Sequence, residues 1–427
     1  MIDIAFLRDN PDVMRRGAAR KRIAFDVDRA LALDTEKRRL LTAREATKAE
    51  QNKIGKQIAS LAGEAKQEAL ARSKSLKADV ERLALELTPI ETELAALMLT
   101  APNPPADDVP EGLTDADNVE VRRVGALPTF DFEPKDHVDL MGAFGWYDVD
   151  RAGRIGGSRS YILEGDAVLL EQSILRLGLD LITARGFRPL AVPVLVKEAA
   201  LRGTAYFPGA EEQTYKIANP TFDDQSAWLV GTSEVSVTAY RAGEILDGAS
   251  LPLRYAGISP CFRREAGTYG KDARGLYRVH QFNKVEQVVV DVADEARSRA
   301  HLEDIVRNAE DLLKALELPY RVVTVCTGDM GRGQIKKYDL EAWMPSRKGY
   351  GETHSASMFG EFQARRLDLR YRDAEGKVRI CHTLNNTVVA TPRILIPVLE
   401  NHQRADGSIA IPAALRPYLG GRTEFRR

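Results

Sequence analysis

The segment CFRREAGTYGKDARGLYRVHQFNKVEQ, from Cys261 to Gln287, decides how the surrounding chain folds. An apolar run ends at Phe262-Arg263-Arg264-Glu265, a loop rich in glycine and basic residues follows, and a second apolar run begins after Arg278. Two such runs on either side of a glycine-containing loop indicate a β-hairpin. We call residues 261–287 the central hairpin and expect its loop to carry chemistry.

The loop of the central hairpin has the composition of an anion-binding segment. Three glycines and two cations lie in it: Gly267, Gly270, Gly275, Lys271 and Arg274. Glycine gives the backbone conformational freedom, and cations bind phosphate oxygens through charge-assisted hydrogen bonds. We therefore expect a phosphate group or the end of a nucleic acid to bind here.

Side chains at the two ends of the loop extend this pattern to a nucleotide site. Arg263 can bind an α-phosphate with two parallel hydrogen bonds, and Glu265 can accept one from an adenine amino group. Phe282 offers a flat face for the base. The alternative is an exposed charged hairpin that binds no nucleotide, which would explain Arg-x-Glu taken alone.

The complete pattern resembles a known family. Arg-x-Glu, a loop and Arg-x-x-x-Phe, the last formed by Arg278 and Phe282, resemble motif 2 of the class II aminoacyl-tRNA synthetases. The letters HQFNKVEQ are similar to those of the seryl-tRNA synthetases. The resemblance implies an α+β fold: the class II antiparallel sheet with flanking helices, plus an N-terminal antiparallel α-helical coiled-coil arm.

Length, charge and cysteine content narrow the class of protein. A chain of 427 residues predicts two or three domains, and 61 Lys and Arg against 62 Asp and Glu give a formal net charge of −1. A polyanionic partner must therefore bind to a local basic patch.

The three cysteines form no C-x-x-C pair, so neither a disulfide framework nor a zinc site is expected. The N-terminus MIDIAFLRDNPDV resembles no signal peptide, no run suits a membrane span, and a cytoplasmic location is expected.

Heptad spacing marks the first hundred residues. One group repeats every seven residues and is joined by Ile58: Leu33, Leu40, Thr47, Ile54 and Leu61. A second group alternates steps of four and three: Leu76, Val80, Leu83, Leu87, Ile90, Leu94 and Leu97. This period is that of a coiled-coil seam. We expect two long helices that fold back antiparallel at Gly63, with a kink or break at Pro89 because proline removes a backbone donor.

Both helices of this arm are rich in basic residues. The candidates for tRNA contact are Arg38, Arg39, Arg44, Lys48, Lys53, Lys56, Arg72, Lys74 and Lys77, together with Lys271 and Arg274 of the central hairpin. Taken alone, such residues are better explained as solvated helix faces with i,i+4 ion pairs. The resemblance implies that the arm grips tRNA(Ser), with tRNA(Sec) as a further candidate.

Composition also divides the chain. We expect a tRNA-binding domain over residues 1–100, a linker over 101–118 because of the proline-rich run APNPPADDVPEG, and a catalytic domain over 119–427. Strands are expected at Leu190–Val196, Ala227–Gly231, Leu251–Ser259, Val285–Val292, Tyr320–Val325 and Tyr338–Trp343, and helices at Leu169–Arg185 and Ala296–Leu316. The turn Asp373–Gly376 predicts an antiparallel pair. Arg185-Gly186-Phe187-Arg188-Pro189 resembles motif 1, which implies a homodimer.

The resemblance assigns two sets of substrate-binding residues. Serine would contact Thr232, Ser233, Glu234, Arg263, Glu286, Asn385 and Thr387. ATP would contact Arg263, Arg264, Glu265, Val279, Phe282, Glu352, Thr353, His354, Ser355 and Arg393. The hydroxyl groups and carboxylate of the first set at residues 232–234 suit a helix N-terminus equally well.

Metal binding and chemistry follow from the same resemblance. Glu352 and Ser355 would hold Mg²⁺ on the ATP phosphates, Arg393 at the start of a helix would reach the γ-phosphate, and His354 would be structural. The family often has other residues at Gly351 and at Ala356-Ser357-Met358. The implied reaction is activation of serine with ATP and its transfer to tRNA. The alternatives are a ligase that loads serine onto a carrier protein and a non-catalytic paralogue.

Overall fold

The protein is described by a computed structural model over residues 1–218, 226–267 and 274–427. Lys271 and Gly270 lie outside the described residues. The chain divides into two compact units, Met1–Pro104 and Pro105–Arg427.

The first unit is helical. Its helices are α1 (Ile4–Asp9), α2 (Pro11–Lys21), α3 (Val27–Ile58) and α4 (Gly63–Thr100). Asp26 begins α3 as its N-cap, where its side chain accepts a hydrogen bond from the backbone of Arg29. Gly63, at the turn into α4, has φ of +59°, a backbone conformation that side chains disfavour.

Helices α3 and α4 form the antiparallel arm that the heptads predict. Three ion pairs join them, Arg29–Glu93, Lys37–Glu91 and Arg72–Glu50, and residue numbers rise on one helix as they fall on the other. Six heptad leucines are buried, namely Leu33, Leu40, Leu76, Leu83, Leu87 and Leu94. On α3, the heptad residues closer to the turn, Thr47, Ile54 and Leu61, are only half-buried.

Pro89 does not break the arm. Helix α4 continues through it to Thr100, so the predicted break is wrong. Proline removes one backbone donor, while Leu87 and Ile90 on either side remain packed in the same cluster with Leu40 of α3. The hydroxyl of Thr88 donates to the carbonyl of Ala84, 3.0 Å away.

The second unit is built on a large sheet. Its strands are β1 (Val119–Val124), β2 (Arg188–Ala191), β3 (Leu195–Lys197), β4 (Ala227–Leu229), β5 (Ile245–Asp247), β6 (Leu253–Phe262), β7 (Gln281–Asp291), β8 (Tyr320–Thr324), β9 (Lys336–Met344), β10 (Gly349–Gly360), β11 (Arg370–Arg372), β12 (Val378–Ile380), β13 (His382–Thr391), β14 (Ile409–Ala410) and β15 (Glu424–Phe425). Within the described residues, eight strands form one sheet in the order β1-β8-β9-β10-β13-β7-β6-β2. Its neighbours pair antiparallel except β2 and β6.

The central hairpin is confirmed as β6 and β7, with Cys261 opposite Phe282. The single strand expected at Leu190–Val196 is wrong. Strand β2 ends at Ala191, and β3 pairs with β4 in a separate two-stranded sheet. Pro193 lies between them and lacks the backbone N–H that a continuous ladder would use. The antiparallel pair at the Asp373–Gly376 turn is confirmed as β11 and β12.

Helices cover one face of the large sheet. The helices of this unit are α5 (His137–Phe144), α6 (Val149–Gly156), α7 (Asp166–Thr183), α8 (Glu198–Gly203), α9 (Glu234–Ala239), α10 (Glu295–Ala315), α11 (Phe362–Arg366) and α12 (Leu395–Asn401). Buried residues of α7 and α10 pack with Val285 and Val289 of β7 in the main core. Gln287 of β7 and Asn386 of β13 both donate to the carbonyl of Ile305 on α10. Alternation along β7 therefore leaves Lys284 and Glu286 on the opposite face.

The proline-rich segment after α4 is partly buried. Val109 packs with Val325 and Met330, and the backbone N–H of Ala106 donates to the carbonyl of Ile335. Both contacts lie within the second unit. The proline-rich run is therefore packed against this unit more than its composition predicts. No helix among the described residues is long and apolar enough to cross a membrane.

Leu87→Ala should loosen the arm, because Leu87 is 2% exposed whereas Leu85 is 76% exposed. A buried Leu→Ala change costs about 2–4 kcal/mol. Hydrogen–deuterium exchange of the whole chain should become faster in α3 and α4. The matched variant Leu85→Ala should leave exchange in both helices unchanged, and equal effects of the two changes would contradict the packing described here.

Protonation of His354 should make the protein pH-sensitive. The imidazole is 1% exposed in β10, its Nε2 donates to the carbonyl of Val388 at 2.9 Å, and burial lowers its pKa from 6.5 to about 4. Between these values the unfolded chain binds a proton that the folded chain does not, so stability falls as pH is lowered. The loss at pH 4 is about 3 kcal/mol. Urea unfolding of His354→Gln between pH 4 and 6.5 should show a flatter pH dependence than the parent chain, and equal slopes would exclude this source.

Candidate active site

The candidate site is a cleft on the face of the sheet that α7 and α10 leave open. Its empty volume is about 510 Å³, and its walls include Arg263, Glu265, Phe282, Glu352 and Arg393. These five residues come from the central hairpin, from β10 and from the segment after β13. The fold therefore brings the main nucleotide-binding candidates of the sequence together.

Arg263 is held at one end of the cleft by the strands around it. Its Nε donates to the carbonyl of Gly231 at 3.2 Å, and its guanidinium lies 5.2 Å from the ring centre of Phe282. The backbone N–H of Arg263 donates to the carbonyl of His280. The terminal nitrogens of this guanidinium carry no hydrogen bond within the described residues, and they remain available to an anion.

Glu265 is fixed by a contact that sequence reasoning missed. It has φ of +50°, and its carboxylate lies 3.5 Å from Arg278. Gln213 binds the adjacent backbone twice, because its Nε2 donates to the Ala266 carbonyl and its Oε1 accepts from the Ala266 N–H, at 2.8 and 3.1 Å. No sequence motif marks Gln213, which lies about fifty residues upstream. The backbone N–H of Arg264 also donates to the carbonyl of Gln213.

Arg393 is the second guanidinium group that lines the cleft. Its guanidinium stacks 4.4 Å from the ring centre of Tyr277 and donates to the carbonyl of Glu352 at 3.1 Å. Arg347 approaches the same ring at 3.8 Å. Helix α12 begins at Leu395 with Ile394 as its N-cap, so Arg393 lies immediately before the helix.

A β-bulge places Glu352 and Ser355 on one face. The register with β9 passes from Glu352 opposite Glu341 to His354 opposite Leu340, so Thr353 is an extra residue. Without the bulge, residues three apart in a strand would point to opposite faces. The side chain of His354 consequently faces the interior of the protein and does not line the cleft. Among the residues expected to bind ATP, it therefore has a structural role.

The carboxylates beside this bulge have shifted pKa values. Burial alone would raise the pKa of Glu352, but the positive charges of Arg393, Lys337, Arg263 and Arg278 together lower it. Burial raises the pKa of Asp339 to about 7, although Lys337 lies 3.0 Å away. Asp339 stands opposite Ser355, and among the described residues its Oδ1 has no hydrogen-bond partner.

A buried polar cluster lies on the same face beside Arg263. The ammonium of Lys284 is 2.6 Å from Glu286 Oε2 and 2.6 Å from the hydroxyl of Thr232. Thr387, opposite Glu286 in the sheet, donates to the same Oε2 at 3.4 Å. A buried carboxylate is costly unless a cation or a hydroxyl contacts it, and the protein itself supplies both to Glu286 through Lys284 and Thr387. No sequence pattern assigned a role to Lys284.

Glu234 is clamped by residues that sequence reasoning missed. The hydroxyl of Tyr206 donates to its Oε2 and the amide of Gln363 donates to its Oε1, both at 2.8 Å. The hydroxyl of Thr383 on β13 in turn donates to the side-chain amide oxygen of Gln363 at 2.7 Å. Burial, together with the nearby charge of Glu286, raises the pKa of Glu234.

The other serine candidates occupy different surroundings. Ser233 is buried behind the cleft, where its hydroxyl donates to the carbonyl of Gly257 at 3.3 Å. A side chain at Gly257 would collide with Val237, so α9 can approach β6 this closely only over glycine. Asn385 is buried on the face of Thr387, and its Nδ2 has no partner within the described residues.

Basic residues of the arm fall into two groups. Ion pairs with carboxylates hold Arg38, Arg39, Arg72 and Lys77, and Lys48 donates to Gln51. In the arm, where every residue is described, Arg44, Lys53, Lys56 and Lys74 form no ion pair. Arg274 of the central hairpin pairs with Asp136 and Asp139 at 2.7 and 2.6 Å. Arg274 can therefore bind RNA only after it leaves these two carboxylates.

Both units match families of known proteins. The description "Seryl-tRNA synthetase N-terminal domain" matches residues 1–105, and "tRNA synthetase class II core domain (G, H, P, S and T)" matches residues 215–402. The chain is 47% identical over 422 residues to a serine–tRNA ligase of Deinococcus radiodurans, covering 99% of this chain and 98% of the relative.

Solved structures give the same result. The seryl-tRNA synthetase of Pyrococcus horikoshii complexed with ATP has a TM-score of 0.91 and 37% identity, with 99% of each chain covered. The cytoplasmic serine–tRNA ligase of Naegleria fowleri in complex with AMP has a TM-score of 0.88 and 29% identity, covering 100% of this chain and 99% of that one. The cleft, the arm and these full-length similarities agree, and the chain belongs to the seryl-tRNA synthetases, within the class II aminoacyl-tRNA synthetases.

Proposed function

We propose that this chain activates L-serine with ATP to seryl-adenylate and transfers the seryl group to the 3′ end of tRNA(Ser). The observation that carries this proposal is the cleft itself, where two guanidinium groups, Arg263 and Arg393, border a pocket that Glu265 and Glu352 also line. In-line attack of a carboxylate on an α-phosphate needs positioning and charge neutralisation, and no general base. The neutral, enclosed imidazole of His354 accords with this.

The nucleotide occupies the arginine-lined part of the cleft in this proposal. Arg263 binds the α-phosphate, where negative charge develops in the transition state, and Arg393 binds the γ-phosphate of the leaving pyrophosphate. Phe282 stacks on the adenine, and Glu265 accepts from its amino group. The stacking of Arg263 on Phe282 and of Arg393 on Tyr277 orients both guanidinium groups before the nucleotide arrives.

Serine occupies the carboxylate-lined part. Glu234 receives the ammonium group, the hydroxyl of Thr232 contacts serine as a donor, and Glu286 and Thr387 receive the side-chain hydroxyl. A pocket built to hydrogen-bond a hydroxyl rejects alanine because its polar groups are then left unpaired, whereas threonine must be refused by shape. Asn385 supports this assignment, since its buried Nδ2 lacks a partner in the described residues.

Glu352 and Ser355 are the residues proposed to hold Mg²⁺. Their common face, created by the bulge at Thr353, offers hard oxygen ligands, and the unpartnered Oδ1 of Asp339 stands opposite Ser355. When bound, the ion supplies charge neutralisation for the phosphates. The described residues contain no cluster of three or more metal-binding side chains, so ATP oxygens would have to complete the coordination.

Transfer requires tRNA, and the arm is the proposed grip. Its unpaired cations, Arg44, Lys53, Lys56 and Lys74, can bind phosphates without first breaking an ion pair. Recognition of tRNA(Sec), a homodimer formed through the residues around Arg185 and a cytoplasmic location belong to the same proposal. Arg185 has partners within its own chain, Asn308 and Asp311 on α10.

The two alternatives account for less of the molecule. A ligase that loads a carrier protein would not explain the long basic arm. A non-catalytic paralogue would not explain the ATP-binding and serine-binding candidates that occur together, namely Arg263, Glu265, Glu286, Glu352 and Arg393. The first experiment is serine-dependent ATP–pyrophosphate exchange followed by charging of total tRNA in the same preparation. Exchange without charging favours the carrier ligase, and absence of exchange favours the paralogue.

Arg263→Ala should lower the rate of serine-dependent pyrophosphate exchange by about 10²–10³-fold, because one donor to the transition-state charge is removed. Arg372→Ala is the matched control, since Arg372 contacts the carbonyl of Gly376 in a separate small sheet. Circular dichroism should show the same fold for both variants. A rate near that of the parent chain would remove Arg263 from the α-phosphate role.

Changing Lys53, Lys56 and Lys74 to glutamate should weaken tRNA charging and leave pyrophosphate exchange unchanged. The KM for tRNA should rise by at least about tenfold, and its logarithm should depend less steeply on salt by about one unit for each phosphate that the arm no longer binds. The control replaces the same three residues by arginine, which keeps their charge. If charging by the glutamate variant matches that of the arginine variant, the arm surface carrying these lysines does not bind tRNA.

A further inference from the structure

Lys284 occupies an unusual position for a charged side chain. It is 6% exposed, it lines the cleft, and its ammonium lies 2.6 Å from both Glu286 Oε2 and the hydroxyl of Thr232. Glu286 is 2% exposed. A buried ion pair contributes little net stability, because desolvation offsets the attraction between the charges. Stability alone is therefore a poor explanation for this pair.

The pair has a directional consequence for Glu286. Lys284 makes its closest contact with Oε2, and Thr387 donates to the same oxygen. Within the part of the chain that the structure describes, Oε1 accepts no hydrogen bond. A carboxylate held in this way is a pure acceptor with one oxygen already occupied.

Lys284 also reaches the group on the other side of the pocket. The hydroxyl oxygen of Thr232 accepts from both Lys284 and the backbone N–H of Glu234, at 2.6 and 3.2 Å. Because two donors already bind its oxygen, this hydroxyl can act as a hydrogen-bond donor through its own proton. One ammonium thus sets the hydrogen-bonding direction of two groups proposed to contact serine.

We propose that Lys284 is a specificity-determining positioning residue, which keeps Glu286 as an acceptor whose Oε1 is reserved for the hydroxyl proton of the substrate. This rests on the proposed function, since it assumes that Glu286 receives the serine hydroxyl. Lys284 acts through Glu286 and Thr232 on the choice of amino acid, whereas Arg263 and Arg393 act on the phosphates.

The direct test is Lys284→Met, which keeps the length of the side chain and removes its charge. The change leaves the buried Glu286 without its counter-charge and frees Oε2 from Lys284, so the carboxylate no longer presents Oε1 alone to the substrate hydroxyl. The specificity constant for serine in pyrophosphate exchange should fall by about 10- to 150-fold, the value of one hydrogen bond to a charged group. The constant for alanine and the KM for ATP should change little. The serine-to-alanine ratio therefore falls.

The comparison of two amino acids distinguishes this role from a structural one. Loss of a positioning residue lowers exchange with serine and leaves exchange with alanine nearly unchanged. A variant that is merely loosened would lose serine and alanine activity together.

Charge replacement supplies an independent measurement. The side chain of L-2,3-diaminopropionate carries an ammonium group in place of the serine hydroxyl, and it can restore the charge that Lys284→Met removes. Exchange with this amino acid should be faster in Lys284→Met than in the parent chain, where Lys284 repels it. Should Lys284→Met fail to fold, the same comparison is made with Lys284→Gln, which is also neutral.

The matched control is Arg297→Met. Arg297 pairs with the buried carboxylate of Asp291 at the far end of the same strand, and it lies outside the cleft. This change should leave the serine-to-alanine ratio unaltered. An unchanged ratio in Lys284→Met, or an equal loss in Arg297→Met, overturns the inference. Absence of serine-dependent exchange in the parent chain would overturn the proposed function instead.

Discussion

The pairing of β7 with β13 is the constraint on which the rest of the second unit depends. Polar residues stand opposite one another in this central pair, Thr387 against Glu286 and Asn386 against Gln287. Buried polar groups are costly unless they are hydrogen-bonded. On one face the amide nitrogens of Gln287 and Asn386 both donate to the carbonyl of Ile305, and on the other face Lys284 pairs with Glu286. The same strand pair thereby fixes the covering helix and the substrate pocket.

Two β-bulges convert this regular sheet into a site. Thr353 is the extra residue of β10, and it brings Glu352 and Ser355 onto one face. Val388 is the extra residue of β13, and its carbonyl accepts from His354. The two bulges are therefore tied together through a buried imidazole. A bulge re-aims side chains without ending a strand, which is what a cleft with residues from three strands requires.

Local patterns were enough for much of the architecture. The heptads predicted the arm and its buried seam, and the apolar runs around the glycine-rich loop predicted β6 and β7. The spacing of Arg263, Glu265 and Phe282 indicated a nucleotide site, because residues that flank one loop are close in space whatever the rest of the chain does. Strand bounds were predicted less well, since one strand was expected where Pro193 separates β2 from β3. The prediction of a break at Pro89 was wrong, because packing on both sides of the proline keeps α4 continuous although proline locally disfavours a helix.

The sequence by itself determined the class of fold, the arm, the family and the residues that flank the central hairpin. Each of these rests on periodicity or on motifs within a few residues, which a linear chain displays directly. Only the tertiary structure decided which cation meets Glu286, and that Tyr206 and Gln363 clamp Glu234. It alone also showed that Gln213 supports Glu265 and that His354 faces the sheet interior. These contacts join residues far apart in the chain or depend on a register shift of a single residue. Such contacts form only once burial forces each polar group to find a partner in three dimensions.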